Sequence, residues 1–532
     1  MISSNLSNKT LLSVPLGQLY STTGMLELQS STASASYEPS IGGGRDTNIN
    51  WSIDGVTAVS PIFGNNSGSM ITPPYDTIET LKTETSNSSA EFQDPSSVTI
   101  SEKSGTNLFH GSLYDYETNW ALDANSYFGT STSKPKGPIR HFFGGTIGGP
   151  VILPHYNGRD KTFFFFSYYG DNSPGHSVAT SQEPTAAMMS GDFSQLLPKV
   201  VIKDPSTGLP FTGNIIPSNR ISAVSQNLQK FGAVLPNHMS TFAQGYDWVG
   251  VEPGGGRDRQ YTGRIERVLT DKDRLFARWT YGDFPKFYQY QTNLPYSYYN
   301  EDRTDNNGML GETHTFSPTF LNEFRLGFSR DAANYGEATY TNGVALTQSF
   351  GLQEPYLAQK TGLVGFPNVS YTNFNGIASR GSNHWRGQTA QVLDNVTWMK
   401  GKNQFKFGID FRDNYGNENT CCRYDFGQVK FDGFATGYDY ADFLLGIPHT
   451  SNLSTRSPRN IVPISKQIGL YALDDIQVNP RLTINLGLRW DYQPPMTDKN
   501  GQEYRVDLSN GDLILPNANT QKLLSPVFVS SL

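Results

Sequence analysis

Three histidines, His110, His141 and His155, stand close together in the most distinctive part of the chain. A metal centre needs three or four such ligands brought to one point, and these three show no ligand-like spacing. They read as polar residues of junctions and turns. Beside them runs Gly144-Gly145-Thr146-Ile147-Gly148-Gly149. Its glycines resemble a phosphate-cradling loop, but the Gly-Lys-Ser/Thr ending and the following helix are missing. Close strand packing and turning is the better use for them. Glu252 to Arg259 (EPGGGRDR) reads as a solvated turn. The two cysteines, Cys421 and Cys422, are adjacent. They are too few and too close for a zinc cluster, and the geometry of an ordinary bridge disfavours joining them. A hydrolytic pair of carboxylates, roughly 5 to 9.5 Å apart in a cleft, cannot be picked out. The residues therefore point away from covalent chemistry: no catalytic residue, no metal and no cofactor is expected.

The elements that would carry any site are strands. From Ser104 to Gly170 three aromatic-rich runs alternate with Gly, Pro, Asn and charged residues. None has the apolar spacing of a long helix, and each has roughly the ten residues that cross a bilayer as a tilted strand. The whole chain of 532 residues has 36% hydrophobic residues but 13% aromatics, with 52 Gly and 31 Pro. That balance suits a sheet with one face toward lipid and the other toward water, and it also suits a soluble all-β protein. No run of apolar residues is long enough for a helical membrane span. The net charge of -7 and the lack of a basic block give no support to nucleic-acid binding.

Residues 1–104 form a region of their own, rich in Ser, Thr, Asn and Gly, with short β-prone pieces and no large core expected. Asp54-Gly55 reads as a tight turn. From residue 105 the pattern is hairpins. Gln260–Leu269 pairs with Arg274–Gly282, and Gly311–Ser317 with Leu321–Arg330. Gln391–Lys400 pairs with Gln404–Arg412, and Lys466–Val478 with Thr483–Tyr492. These connections are short. The others, 171–257, 283–307, 331–388 and 413–463, are long and read mostly as loop. Short turns on one rim and long loops on the other are the pattern of an outer-membrane barrel. Alternation agrees with it. Phe405, Phe407, Ile409 and Phe411 interleave with Lys406, Gly408 and Asp410. Leu482, Ile484, Leu486, Leu488 and Trp490 interleave with Thr483, Asn485, Gly487 and Arg489. In the long loops, Tyr288, Tyr290, the tyrosines flanking Ser297, Tyr415 and Tyr424 are candidates for stacking on a peptide or glycan. The same residue type also builds lipid-interface girdles.

Taken together, these segments resemble the TonB-dependent outer-membrane receptors of the Oar-like subgroup. Val14-Pro15-Leu16-Gly17 is similar to an early plug segment, and Trp51 to Val56 (WSIDGV) to its "DGV" element. Ile78 to Phe92 resembles the plug segment that ends in Ala-Glu-Phe. Ser104, Gly105, Thr106 and Asn107, with His110 and Gly111, resemble the plug-to-barrel junction. Gly144 to Pro150 and Asp160 to Phe166 resemble the first barrel hairpin. Asn214 to Arg220 (NIIPSNR) and Ala441 to Gly446 (ADFLLG) are further family-like marks.

The resemblance implies a mostly β protein: a small mixed plug domain, residues 1–104, followed by the first part of a large antiparallel transmembrane β-barrel, residues 105–532. It implies uptake of a scarce nutrient (peptide, glycan or metal chelate) across the bacterial outer membrane. The energy would come from TonB and its inner-membrane complex, and the surroundings would be outer-membrane lipid. About eleven strand candidates are present, where such transporters close with about 22. The N-terminus also lacks the basic and apolar regions of a signal peptide. The chain is therefore expected to be incomplete at both ends, part of a larger receptor. The competing expectation is a surface-binding or structural β-protein, adhesin-like or assembly-forming, that does not transport.

Overall fold

The computed structural model describes residues 2–13, 26, 32–33, 40–45, 48–62, 71, 73–86, 88–122, 137–237, 246–289, 298–337, 342–353, 357, 363–379, 383–419, 425–453, 460–501, 505–507, 509–510 and 513–514. Three parts are built on one another: an N-terminal sheet, a long curved wall and a cap made from the wall's long connections.

The N-terminal sheet has five strands: β1 (Ile2–Ser7), β2 (Ile49–Ile53), β3 (Val56–Thr57), β4 (Ile78–Ser86) and β5 (Ser96–Glu102). Their order is β1-β4-β5-β2-β3, and the β5–β2 pair is parallel. Asp54 (φ 50°) and Gly55 (φ 89°) join β2 to β3. A tight hairpin turn needs two left-handed residues, and Asp-Gly supplies them at low cost. This part was expected to lack a large core, yet it has one. Trp51, Ile49, Ile53, Ile78, Leu81, Val98 and Ile100 are all buried, with Leu11 and Leu26 packed in from outside the sheet. The short polar pieces hid it, because each contributes only one or two apolar residues.

The wall is an antiparallel meander of eleven long strands: β6 (His110–Thr118), β7 (Arg140–Pro150), β8 (Thr162–Ser181), β9 (Trp248–Val268), β10 (Asp273–Asp283), β11 (Tyr298–Ser317), β12 (Phe320–Glu337), β13 (Asn383–Lys400), β14 (Asn403–Asn419), β15 (Pro463–Asn479) and β16 (Leu482–Tyr492). Each pairs with its neighbours in chain order. The four hairpins read from the sequence are all present. All four long connections read as loop are strand at their ends, at 171–181, 248–257, 298–307, 331–337, 383–388 and 413–419. Residues 171–181 and 248–257 pair with each other, so Glu252 to Arg259 lies in a ladder and not in a turn. β8, β9 and β11 reach 20 or 21 residues, about twice what crosses a bilayer. Beyond the membrane both faces of a strand are wet, so apolar alternation, the main sequence signal, fades there.

The alternation sorts the wall's two faces. Phe407 and Leu486 point outward and are exposed. Their neighbours Lys406 and Gly487 face the N-terminal sheet. Phe166, Ile265, Trp279, Leu310, Leu326, Leu470 and Leu488 extend the outward set along the wall. In water, an apolar band of this extent would be a large aggregation-prone patch; against lipid it is the surface a spanning sheet needs. Gly144, Gly145, Gly148 and Gly149 sit in β7. A Cβ on Gly145 would meet the Leu113 side chain at 2.6 Å, and one on Gly149 the Phe109 ring at 2.5 Å. Close strand packing is their use. No helix among the described residues is long and apolar enough to cross a membrane, a statement that leaves strand spans untouched.

The cap gathers residues 182–237, 342–379 and 425–453 as far as they are described. Phe193, Ile202, Leu228, Phe350, Phe374, Phe431, Tyr440 and Phe443 form a buried core of their own. NIIPSNR and ADFLLG meet there. Buried Asn214 accepts from the Ile202 amide and donates to the carbonyls of Phe193 and Val200. Asp442, fully buried, accepts from the Ala435 and Thr436 amides and from the Thr436 hydroxyl. The Ser222 amide and the Ser225 hydroxyl donate to the carbonyls of Leu444 and Phe443, joining the two segments.

The outward face makes a direct prediction. Phe407→Arg should lower stability in bilayer vesicles by about 2–4 kcal/mol, the cost of a cation on a lipid-facing strand near mid-membrane. Replacing the inward Lys406 by Arg should cost far less. Denaturant titration of the two variants in the same vesicles reads the difference.

Candidate functional site at the plug–wall interface

The Asp54-Gly55 turn brings β2 and β3 to the inner face of the wall. Arg278, on β10, is fully buried beneath it. Its Nε lies 3.1 Å from Asp54 Oδ2 and 3.2 Å from Glu102 Oε2. Arg264, on β9, lies 3.2 Å from Asp54 and 2.6 Å from Glu266. The Arg278 guanidinium also donates to Thr280 Oγ1, to Asn307 Oδ1 and to the Ile53 carbonyl. The Glu102 amide donates to Asp54 Oδ1 at 3.1 Å.

Charge counting explains the state of this cluster. Two guanidinium groups face Asp54, Glu266 and Glu102. With Glu102 neutral, the buried charges balance; with it ionised, they do not. The Glu102 carboxylate has Arg278 nearby but no hydrogen-bond donor among the described residues. Burial therefore dominates and pushes the Glu102 carboxyl up to about 7, against the pull of Arg278.

Beside the cluster, neutral hydrogen bonds align the plug. The Thr57 amide donates to Gln391 Oε1 at 2.8 Å. The Thr57 carbonyl accepts from Ser329 Oγ and Asn307 Nδ2. Ser60 Oγ reaches the Asp331 carboxylate at 3.3 Å. Val56 sits against Gly327, where a Cβ would lie 2.6 Å from Val56 Cγ1. A second plug contact grips the last strands. Arg489, on β16, donates to the Glu91 carbonyl at 2.9 Å, and Lys406, on β14, pairs with the Glu91 carboxylate.

The junction residues run along the edge of the first wall strands. A Cβ on Gly105 would lie 2.3 Å from the Phe164 carbonyl oxygen, so the linker passes against bare backbone. Ser104 Oγ donates to the Gly105 carbonyl. Thr106 Oγ1 contacts the Leu108 carbonyl and, at 3.3 Å, His110 Nδ1. Asn107 is held to the turn after β7: its Oδ1 accepts from the Asp160 amide at 2.7 Å and its Nδ2 donates to the Asp160 carboxylate. His110 and Gly111 open β6, opposite Gly148 and Ile147.

The tyrosines are not brought together. Tyr290, Ser297 with its neighbour Tyr296, and Tyr424 lie outside the described residues, as do Cys421 and Cys422. Tyr288 lies in a short strand, Lys286–Gln289, paired with β9 and β11. Tyr415 is half-buried on β14, on the outward-facing side with Phe407 and Phe411. The histidines stay apart: His141 faces Asp115, and His155 occupies a turn at φ 69°. One grouping escaped sequence reading. Asp273, Glu312 and His314 bring ligand-type atoms within 4.8 Å of one another at a short-turn end of the wall, and His314 hydrogen bonds Asp273. Only strand register places them side by side. The interface residues Arg264, Arg278, Asn307, Ser329, Asp331 and Gln391 were missed as well. Their signal was faint: each is a polar residue at an inward position of an alternating strand.

Two outcomes follow from the cluster. Arg278→Ala removes the buried cation that faces both Asp54 and Glu102, leaving Asp54 with Arg264 alone, and should weaken plug docking by about 3 kcal/mol, read as thermal release of the plug under limited proteolysis. The docked plug holds the Glu102 proton more tightly than a released one, whose carboxyl titrates near the ordinary 4.5. That contribution to docking is complete below pH about 4.5 and lost as pH rises through about 7. Docking should therefore be tighter at pH 5 than at pH 8, and Glu102→Gln should flatten the profile.

Similar folds are found among solved structures. The outer membrane transporter YddB from Escherichia coli superposes with a TM-score of 0.55 at 10% identity, covering 96% of this chain and 57% of that one. The copper transporter OprC superposes with a TM-score of 0.50 at 10% identity, covering 97% of this chain and 57% of that one. This chain thus spans less than three fifths of the length of either. None of the curated proteins matches it. A model of the outer membrane beta barrel domain matches residues 101–528. The chain belongs to the outer-membrane β-barrel domain family, with a small N-terminal sheet followed by a large antiparallel wall, and is placed in the bacterial outer membrane.

Proposed function

We propose that residues 1–104 act as a movable plug and residues 105–532 as part of the wall of an energised uptake receptor, of the TonB-dependent type and the Oar-like subgroup. The single observation that supports this most is the chemistry of the interface. The plug is held by a buried ion cluster and by aligned hydrogen bonds. An apolar interface would bind strongly and without direction. A polar one can be undone stepwise once water or a pull on the plug replaces its partners.

In this reading, cargo too large for open pores is recognised on the cap side. TonB, drawing on the proton gradient of the inner membrane, then strains the plug until the Asp54 turn leaves Arg278. The chain carries out binding, rearrangement and passage and makes or breaks no covalent bond. The cargo class is a peptide, glycan or metal chelate. Tyr288 and Tyr415, both on strands, with Tyr290, Tyr424 and the tyrosines flanking Ser297, remain proposed contacts for it.

The test reads plug motion and needs no known cargo. In the full-length receptor, with Cys421 and Cys422 replaced by Ser, a Val56→Cys variant is exposed in cells to a membrane-impermeant thiol reagent. Labelling should rise several-fold in energised cells and return to the basal rate when the proton gradient is collapsed. A second cysteine at Gly327 should tether the plug and suppress labelling until a reductant is added. Labelling indifferent to the gradient would refute energised uptake and favour a passive surface-binding protein.

A further inference from the structure

The short-turn end of the β10–β11 pair carries a side-chain cluster on the wall's outward face. In the ladder Asp273 stands opposite His314, and Leu275 opposite Glu312. Asp273 shares the parity of Trp279, and Glu312 and His314 share that of Leu310; Trp279 and Leu310 are outward and exposed. All three side chains therefore leave the sheet on one side, and their ligand-type atoms lie within 4.8 Å of one another. The Asp273 carboxylate accepts from the Thr270 hydroxyl and is hydrogen-bonded to His314 Nδ1, so both groups are held in place. The Thr315 amide donates to the Lys272 carbonyl at 2.8 Å and fixes the backbone beside them. Phe316, more than half exposed, sets its ring edge-on to His314 at 4.3 Å, and the Phe320 ring lies 5.2 Å beyond. Outward aromatics of this kind form the girdle at a membrane–water boundary, so the cluster is within reach of ions in water.

Glu312 is the member out of keeping with its face. Asp394 accepts from Asn322 Nδ2 at 2.5 Å, and Asp474 accepts from Asn403 Nδ2 at 2.8 Å, both on the outward side. Glu312 has no hydrogen bond or ion pair among the described residues. A lone carboxylate beside lipid is costly, and this one stands next to an imidazole and a second carboxylate.

We propose that Asp273, Glu312 and His314 bind one divalent transition-metal ion, Zn²⁺ being the best match. The donor set decides the class. An imidazole suits zinc and its first-row neighbours, whereas Mg²⁺ and Ca²⁺ favour oxygen alone. Three protein donors with a further position open to water are an ordinary zinc arrangement. Bonds of about 2.1 Å place donor atoms roughly 3–4 Å apart, so small side-chain rotations complete the site. The bound ion gives Glu312 its missing partner and ties β10 to β11 at the membrane boundary. The proposal goes beyond the uptake reading and does not rest on it, because the site lies on the face of the wall opposite the plug.

The test uses the full-length receptor, without an affinity tag, in lipid nanodiscs, with Cys421 and Cys422 replaced by Ser so that no thiol there competes. Zn²⁺ is titrated against a chromophoric chelator, with empty nanodiscs as reference. Glu312→Gln and His314→Ala should each weaken one equivalent of bound Zn²⁺ about tenfold or more. His141→Ala, whose imidazole faces Asp115 alone, should change nothing. Mg²⁺ in about hundredfold excess should leave the ion in place. Glu312→Gln keeps the size of an outward side chain, and unchanged far-UV circular dichroism shows that each variant is folded. The proposal is overturned if the wild type binds no Zn²⁺ beyond the empty nanodiscs, if Glu312→Gln and His314→Ala bind as the wild type does, or if Mg²⁺ displaces Zn²⁺ at equal concentration, as it would from an acidic patch. None of those results bears on plug labelling in energised cells, which would leave the uptake reading standing.

Discussion

The architecture turns on one buried guanidinium. Arg278 sits on a wall strand with no exposed side-chain surface, and the two carboxylates facing it, Asp54 and Glu102, both belong to the plug. Docking the plug takes Arg278 out of water, and the plug's own carboxylates offset that desolvation. The plug and wall are in this sense a single electrostatic object assembled from two covalently linked parts. The Asp54-Gly55 turn follows from the same constraint, because only a tight hairpin delivers a carboxylate this deep while β2 and β3 stay paired.

A wall of this kind needs two different faces, and the alternation of its strands provides them. Outward residues such as Phe407, Leu486 and Leu488 would be a liability in water and are suited to lipid. Inward residues such as Lys406, Asp410 and Arg489 find partners in the plug or on neighbouring strands. Gly327 and Gly487 mark where the plug comes closest, since side chains there would collide with Val56 and Ala90. Where strands rise beyond the membrane the division ends, and the long connections condense into a cap with a core of its own.

The cap changes how two sequence motifs are understood. Asn214 and Asp442 look like loop residues in isolation. Both are buried, and both satisfy backbone groups that would otherwise be orphaned inside the cap. Gly446 (φ 70°) ends the helix that carries Asp442, and the carbonyl of Leu444 beside it accepts from Ser222. These residues do for the cap what ladder hydrogen bonds do for the wall: they allow irregular backbone to be buried without unpaired polar groups.

Sequence alone determined the periodic and local features: strand alternation in 405–411 and 482–490, the short hairpin turns and the Asp54-Gly55 turn. Each depends on residues within a few positions of one another, where the side-chain period of two and the turn chemistry act directly. Tertiary structure decided everything that required distant residues to meet. The pairing of Arg278 with Asp54 and Glu102, the grouping of Asp273 with Glu312 and His314, and the union of 214–225 with 441–446 all depend on register and chain crossing. The strand extensions at 171–181 and 248–257 belong with these, because residues wetted on both faces carry no apolar period. Their ladder exists only because each segment supplies the other's hydrogen bonds.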